Sequence, residues 1–122
     1  MPVETKKRVL VVDDEPRILR FVRVKMNLAG YEVITTTSGQ DALELTQKQK
    51  PDIVLLDLLM VPLSGFDVLE RLRTFSKVPV IVFTGKHLAA DEVPRLGAND
   101  FIAKPFDPEE LVRKVKNILD YR

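Results

Sequence analysis

The side chains best suited to chemistry stand directly after the most apolar runs of this 122-residue chain. Asp13 and Asp14 follow one such run, Asp57 follows another, and Thr84 and Lys104 come at the ends of two more. Together they provide three carboxylates, one hydroxyl and one ammonium. Carboxylate oxygens are the ligands that small divalent cations such as Mg²⁺ prefer, and hydroxyl and ammonium groups bind phosphoryl oxygens. The set therefore predicts a site for a divalent cation and a phosphoryl group.

Four apolar runs, at residues 9–12, 53–56, 80–83 and 101–103, must position these side chains. Continuous β-branched runs are typical of strands buried on both faces, as in a parallel sheet. A shorter strand is predicted at Tyr31–Thr35, and helical patterns separate the strands. Right-handed crossovers then predict an α/β fold, a doubly wound five-stranded parallel sheet with strand order 2-1-3-4-5, which is the flavodoxin-like arrangement. Strands 1 and 3 are neighbours in this order, so their acids should meet at the carboxyl edge of the sheet.

Residues that cap or interrupt the backbone predict the helix boundaries. Pro16 fits the first turn of the first helix and Gly30 fits its end. Ser38 and Ser64 are predicted to begin the next two helices, the second of which runs to about residue 73, and Asp107–Glu110 begins the last one. Helical spacing predicts these buried faces: Ile18, Phe21, Val22, Met26 and Ala29; Ala42 and Leu45; Phe66, Leu69 and Leu72; Leu111, Val115 and Ile118.

The interval between Thr84 and Phe101 predicts a short or distorted fourth helix. Residues 87–95 have a helical pattern. Pro94 lies within this pattern, and a proline in a helix interior removes a hydrogen bond and kinks or breaks the helix.

Length and composition restrict the class of protein. A chain with 45% hydrophobic and 30% charged residues has the size and balance of one globular domain, here residues 1–122 with a loose leader at 1–7. A formal net charge of +1 gives no reason to expect nucleic-acid or membrane binding. The absence of cysteine excludes disulfides and thiolate metal sites and favours a cytoplasmic location. No apolar stretch is long enough for a membrane span.

Each candidate residue also has an ordinary structural interpretation. An aspartate between a strand and a helix is usually a helix cap, and Thr84 or Lys104 alone would be a satisfied hydroxyl or a solvated ammonium. The prediction depends on the constellation, because three adjacent carboxylates repel one another unless a cation such as Mg²⁺ is bound.

Four motifs occur along the chain in this order: VVDDEP at 11–16, LLD at 55–57 with Gly65 eight residues later, Thr84-Gly85, and DFIAKPF at 100–106. In type and order they resemble the receiver domain of two-component response regulators. The resemblance covers nearly the whole chain. It implies a signalling domain that accepts a phosphoryl group from a histidine kinase and then changes conformation to control an output.

The resemblance also implies roles for individual residues. Asp57 would be the phosphoacceptor, a carboxylate nucleophile that forms an aspartyl phosphate. Asp13, Asp14 and Asp57, with the backbone carbonyl of Leu59, would hold Mg²⁺. Lys104 would pair with the phosphoryl oxygens.

The switch implied by the resemblance involves Thr84 and Phe101. Thr84 would hydrogen-bond the phosphoryl group and draw its loop inward, and Phe101 would fill the space that Thr84 vacates; a core aromatic is an equally good interpretation of Phe101. The resemblance also favours a cis Lys104–Pro105 bond over the usual trans preference.

The implied partners are a sensor histidine kinase or a phosphotransfer protein, with a homodimer formed on phosphorylation and no nucleic acid or membrane bound by this chain. The domain would catalyse its own modification and slow hydrolysis without turnover on an external substrate. The basic side chains of the first helix are either a solvated face or a docking surface for the kinase: Arg17, Arg20, Arg23 and Lys25.

Departures from the family pattern leave an alternative open. Val61 stands where the family generally has proline, and Pro62 follows it. The alternative is a degenerate receiver that acts as a phosphorylation-independent protein-interaction module. A haloacid-dehalogenase-type phosphatase fits less well, because Leu59 stands where its second acid would be.

Two further expectations concern phosphoryl lifetime and dimerisation. Leu59 and Lys86 are predicted to flank the phosphoryl group, and the apolar Leu59 favours slow hydrolysis. Asp100 and Arg113 are candidates for ion pairs between two copies, although a short fourth helix would alter that dimer surface.

Overall fold

The computed structural model describes residues 6–85, 88–89 and 91–120, which form a five-stranded parallel sheet with helices on both faces. The strands are β1 (Arg8–Val12), β2 (Glu32–Thr36), β3 (Ile53–Asp57), β4 (Val80–Thr84) and β5 (Asp100–Ala103). The helices are α1 (Pro16–Leu28), α2 (Gly39–Gln49), α3 (Gly65–Leu72), α4 (Glu92–Leu96) and α5 (Pro108–Asp120). The strand order β2-β1-β3-β4-β5 confirms the predicted doubly wound arrangement.

The core lies in two layers because successive strand residues point to opposite faces of the sheet. In β1, Val9 and Val11 pack with α1 and α5, whereas Leu10 and Val12 pack with α2, α3 and α4. Strands β1, β3 and β4 are buried on both faces beyond their first residues, as the continuous apolar runs predicted. This rigid central sheet fixes the residues at its carboxyl edge.

Most predicted helix boundaries are confirmed. Pro16 is the first residue of α1, and Gly30 follows the helix with φ +99°, a conformation that glycine adopts without steric cost. The Ser38 and Ser64 side chains accept hydrogen bonds from backbone N–H groups three residues later. Asp107 accepts a hydrogen bond from the Glu109 N–H at the start of α5. The second strand begins one residue later than predicted.

The prediction that two phenylalanines are buried is wrong. Phe21 is 41% exposed and Phe66 is 43% exposed. The buried residues of α1 are Leu19, Val22 and Met26, and those of α3 include Val68, Leu69 and Leu72. Because the buried residues of each helix follow positions i, i+3 and i+7, Phe21 lies on the flank of α1 and Phe66 lies on the flank of α3. At the end of α5, Leu119 is buried and Ile118 is only partly buried.

The fourth helix is short, as predicted, but the predicted effect of Pro94 is wrong. Helix α4 has five residues and Pro94 is the third of them. In the first turn of a helix the backbone N–H has no partner within the helix, so the missing donor costs little there. His87 lies outside the described residues, and the segment that precedes α4 is not helical at residues 88–89. Among the described residues, no helix is long and apolar enough to cross a membrane.

Candidate functional site

The three candidate acids meet at the carboxyl edge of the sheet. Asp57 is the last residue of β3 and Asp13 follows β1; the two strands are paired, with Val12 opposite Leu56. Each of Asp13, Asp14 and Asp57 offers one carboxylate oxygen within 4.8 Å of the other two. Mg²⁺ prefers oxygen ligands and is commonly bound through carboxylates, which these three side chains supply close to one another. The donor set therefore fits the predicted metal.

Burial differs within this acid cluster. Asp13 is fully buried and Asp57 is 4% exposed, whereas Asp14 is the accessible member. Burial, and then the charge of Asp13, raise the pKa of Asp57; the Lys104 ammonium and the Leu59 N–H oppose this change without reversing it. The charged form of Asp57 is thus destabilised in the metal-free protein.

In Asp13 and in Asp57 the two carboxylate oxygens have different partners. Oδ1 of Asp13 accepts a hydrogen bond from the Glu15 N–H at 2.9 Å, and Oδ1 of Asp57 accepts one from the Leu59 N–H at 3.2 Å. In each case Oδ2 faces the Lys104 ammonium. In each of these acids one oxygen therefore holds the backbone two residues later, and the other faces the cluster.

Lys104 reaches the acids from the end of β5. Its Nζ lies 2.8 Å from Asp13 Oδ2, 3.4 Å from Asp57 Oδ2 and 3.8 Å from Glu15 Oε1. Burial by itself lowers the pKa of Lys104, but the hydrogen bond and charge of Asp13, together with the charges of Asp57 and Glu15, outweigh it and the pKa is raised. The backbone is fixed at the same point, because the Lys104 N–H donates to the Thr84 carbonyl at 2.7 Å. Lys104 is therefore a positioned cation at the acid cluster.

Thr84 and Phe101 lie on the same face of the sheet. Thr84 ends β4 opposite Ala103, and Phe101 pairs with Val82. Thr84 is 5% exposed, and Phe101 packs against the core on the α2–α3–α4 side. Phe101 thus packs against the core, as the interpretation of it as a core aromatic predicts, and it lies on the same face as Thr84.

The loop after Asp57 is held close to the strand end. The Gly65 N–H donates to the Leu58 carbonyl at 2.9 Å. A Cβ atom at Gly65 would lie 2.6 Å from the Leu58 Cα, so only glycine fits this approach without displacement. The Leu59 side chain is 70% exposed and lines, beside Thr84, an open cavity of about 390 Å³ with mostly apolar walls.

Several features of the site were not predicted. The Val61–Pro62 peptide bond is cis, like the Lys104–Pro105 bond, for which the resemblance favoured that form. Glu15 contacts Lys104, and its place directly after the Asp13-Asp14 pair was the signal that could have found it. Phe106 stacks on Phe83 at 5.1 Å between ring centroids. Asp100 forms an ion pair with Lys114 of its own chain at 3.1 Å. Lys86 lies outside the described residues.

Comparison with known proteins agrees with this geometry. The family model for the response regulator receiver domain matches residues 9–116. The chain belongs to this family. This receiver domain is 39% identical over 119 residues to the probable transcriptional regulator ycf27 of Guillardia theta, covering 96% of this chain and 47% of that protein. It is 42% identical over 110 residues to the transcriptional regulatory protein KdpE of Mycobacterium tuberculosis, covering 88% and 49%. The chain spans about half the length of these curated relatives.

Solved structures show the same fold. A putative response regulator from Chloroflexus aurantiacus has a TM-score of 0.87 and 33% identity, and the match covers 95% of this receiver domain and 99% of that chain. The chemotaxis protein CheY4 of Vibrio cholerae has a TM-score of 0.84 and 29% identity, covering 93% and 99%. The predicted family is confirmed, and so is the flavodoxin-like strand order.

Proposed function

We propose that this receiver domain accepts a phosphoryl group on Asp57 from a histidine kinase or a phosphotransfer protein, with Mg²⁺ as cofactor. The observation that carries the proposal is the position of Asp57: its carboxylate is buried at the strand end, within 4.8 Å of ligand oxygens of Asp13 and Asp14 and 3.4 Å from the Lys104 ammonium. A nucleophile, a metal-binding acid pair and a cation for the phosphoryl oxygens thus lie together.

The residues that would hold Mg²⁺ are Asp13, Asp14 and Asp57, with the backbone carbonyl of Leu59. When bound, the ion offsets the negative charge of the carboxylates and of the phosphoryl oxygens. An oxygen of Asp57 attacks the phosphorus of a phosphohistidine, the phosphorus–nitrogen bond breaks, and the imidazole leaves with the electron pair. Lys104 binds the phosphoryl oxygens as a charge-assisted donor.

The proposed switch uses Thr84 and Phe101. A phosphoryl group on Asp57 carries about −1.5 to −2 charges and three acceptor oxygens. Thr84, which ends the neighbouring strand β4, would donate its hydroxyl to these oxygens, and Phe101 lies on the same sheet face. A shift from about 1:99 to 99:1 between two conformations needs roughly 5.5 kcal/mol of differential interaction, which a metal-bridged phosphoryl group with two protein donors is able to supply.

The output is inferred from the relatives. The matched proteins from Guillardia theta and Mycobacterium tuberculosis are described as transcriptional regulators, and this chain matches about half of each. We infer that the conformational change at Asp57 controls transcription through a part of the protein other than the receiver domain. The acid cluster itself has no nucleic-acid-binding character.

Mass spectrometry of the intact protein tests the phosphoacceptor. The wild type is incubated with Mg²⁺ and a small phosphodonor such as acetyl phosphate, and we expect one adduct with the mass of a phosphoryl group. Asp57→Asn should give none, EDTA should prevent it in the wild type, and Asp41→Asn, which changes an exposed acid of α2, should behave like the wild type. An adduct on Asp57→Asn, or no adduct on the wild type with several donors, would contradict the proposal.

A further inference from the structure

Lys104 occupies the centre of the charge distribution at the acid cluster. Its ammonium contacts Asp13, Asp57 and Glu15 at 2.8, 3.4 and 3.8 Å, and its side chain is only 19% exposed. In the part of the chain that the structure describes, every salt bridge to Asp13 or Asp57 comes from this one side chain. Lys104 is therefore the counterion of the buried acids.

The shortest of these contacts is to Asp13, which is a predicted metal ligand. A fully buried carboxylate requires compensation by hydrogen bonds and an opposite charge. Asp13 obtains both, from the Glu15 N–H on Oδ1 and from Lys104 on Oδ2. The oxygen of Asp13 that faces the cluster is thus already engaged by a cation.

An ammonium and a divalent cation on the same carboxylate oxygen repel each other strongly. With metal–oxygen distances of about 2.1 Å and the observed 2.8 Å from Nζ to Asp13 Oδ2, the two cations would be roughly 4 Å apart. A 1+ and a 2+ charge at that distance in a largely buried site repel each other far more than they would in water. Lys104 can relieve this repulsion by leaving Asp13.

We propose that the Lys104 ammonium competes with the divalent cation for Asp13, so that this lysine lowers the metal affinity of the receiver domain. The inference rests on the proposed function, since it takes the acid cluster to be the metal site. Asp57 Oδ2 lies 3.4 Å from Nζ, so an ammonium released from Asp13 remains beside the carboxylate of the proposed phosphoacceptor. Metal binding would thereby make Lys104 available to the phosphoryl oxygens.

Direct metal binding tests this competition without any measurement of phosphorylation. Mn²⁺ serves as the metal because it also prefers oxygen ligands and its free concentration is measured by electron paramagnetic resonance. At about pH 8, where carboxylates are ionised, we expect Lys104→Gln to bind Mn²⁺ about tenfold more tightly than the wild type. A circular dichroism spectrum of each variant verifies that it is folded.

The matched control is Lys114→Gln. This substitution also removes one positive charge, from the ion pair between Lys114 and Asp100. Asp100 is the first residue of β5, whereas Lys104 follows the last residue of that strand. Lys104 is four residues after Asp100, which corresponds to about 13 Å along a strand. This distance is beyond the Debye length at physiological ionic strength. We expect its Mn²⁺ affinity to equal that of the wild type.

The outcomes separate the inference from the proposed function. Unchanged or weaker Mn²⁺ binding by Lys104→Gln would overturn the competition, and the adduct on Asp57 would still stand. An equal gain in Mn²⁺ affinity for Lys114→Gln would also overturn the competition, because the change in net charge would then explain the result. A wild type that neither binds Mn²⁺ nor accepts a phosphoryl group would overturn both proposals.

A second variant keeps the test decisive if Lys104→Gln does not fold. Lys104→Arg retains the positive charge and can still pair with Asp13, so the competition predicts Mn²⁺ binding no tighter than that of the wild type. A tenfold gain in affinity for the arginine variant would overturn the inference.

Discussion

Asp57→Asn is expected to stabilise the metal-free receiver domain at neutral pH. Asp57 is 4% exposed, and its charged form is disfavoured by burial and by Asp13. Asparagine has nearly the same shape, and its side-chain oxygen can accept the hydrogen bond that the Leu59 N–H now donates to Oδ1. The substitution therefore removes the charge and keeps this hydrogen bond, while the amide NH₂ group replaces Oδ2 beside the Lys104 ammonium.

The expected magnitude follows from the opposing charges around Asp57. With an effective dielectric constant of about 20, repulsion from Asp13 at up to 4.8 Å is at least about 3.5 kcal/mol, and attraction to Lys104 at 3.4 Å is about 5 kcal/mol. These terms largely offset each other. The desolvation of a buried carboxylate, which costs several kcal/mol, is then not fully compensated. We expect Asp57→Asn to raise the free energy of unfolding by about 1–3 kcal/mol.

The stabilisation by Asp57→Asn should increase as the pH rises. The folded-state pKa of Asp57 lies above its ordinary value of 3.8, so the folded protein binds more protons at this group than the unfolded chain does. Stability from Asp57 is therefore fully present below the unfolded pKa and is lost as the pH rises through the folded pKa. The advantage of Asp57→Asn should be small at about pH 4 and largest at about pH 7.

Urea denaturation followed by far-ultraviolet circular dichroism, in the presence of EDTA, measures this difference. An increase of about 1–3 kcal/mol shifts the unfolding midpoint by roughly 1 M for a domain of this size. Glu44→Gln, which neutralises an exposed acid on α2, serves as the control and should shift it little. An Asp57→Asn protein that is less stable than the wild type at neutral pH, or a gain that does not change with pH, would refute the electrostatic reasoning.

Three other substitutions test the loop after Asp57, the amino edge of the sheet and the lifetime of the phosphoryl group. Gly65→Ala places a Cβ 2.6 Å from the Leu58 Cα, so it should destabilise the domain by about 3 kcal/mol, measured by urea denaturation. Arg73→Ala removes side-chain hydrogen bonds to three backbone carbonyls at 2.7–3.2 Å and should cost about 2–4 kcal/mol in the same assay. Leu59→Asn makes the rim of the site polar and should shorten the phosphoryl half-life by about three- to tenfold, measured by loss of the mass adduct.

Matched variants distinguish these effects from general perturbation. Gly85→Ala should be tolerated, since a Cβ there meets no atom of the described residues within 4 Å; equal stability of the two alanine variants would contradict the close approach at Gly65. Arg73→Lys should retain part of the lost stability. Leu59→Met, which stays apolar, should leave the phosphoryl half-life unchanged, and a rapidly decaying adduct that Leu59→Asn does not alter would refute the proposed role of Leu59.

Local sequence determined the strands, most helix boundaries and the identity of the candidate site residues. Continuous apolar runs determine buried strands because burial on both faces excludes polar residues. Ser38, Ser64 and Pro16 act through backbone groups within a few residues, so their effects could be predicted without tertiary contacts. The strand order followed from crossover handedness, which placed Asp13 beside Asp57 before any distance was known.

Only the tertiary structure decided the details that depend on distant neighbours. Phe21 and Phe66 lie on the flanks of their helices because burial depends on how each helix is rotated against the sheet. The contact between Lys104 and Asp13 joins residues 91 positions apart, and side-chain rotamers, which no sequence pattern specifies, determine which acid the ammonium selects. The sequence determined which charges meet at the sheet edge; packing decided which of them are paired there.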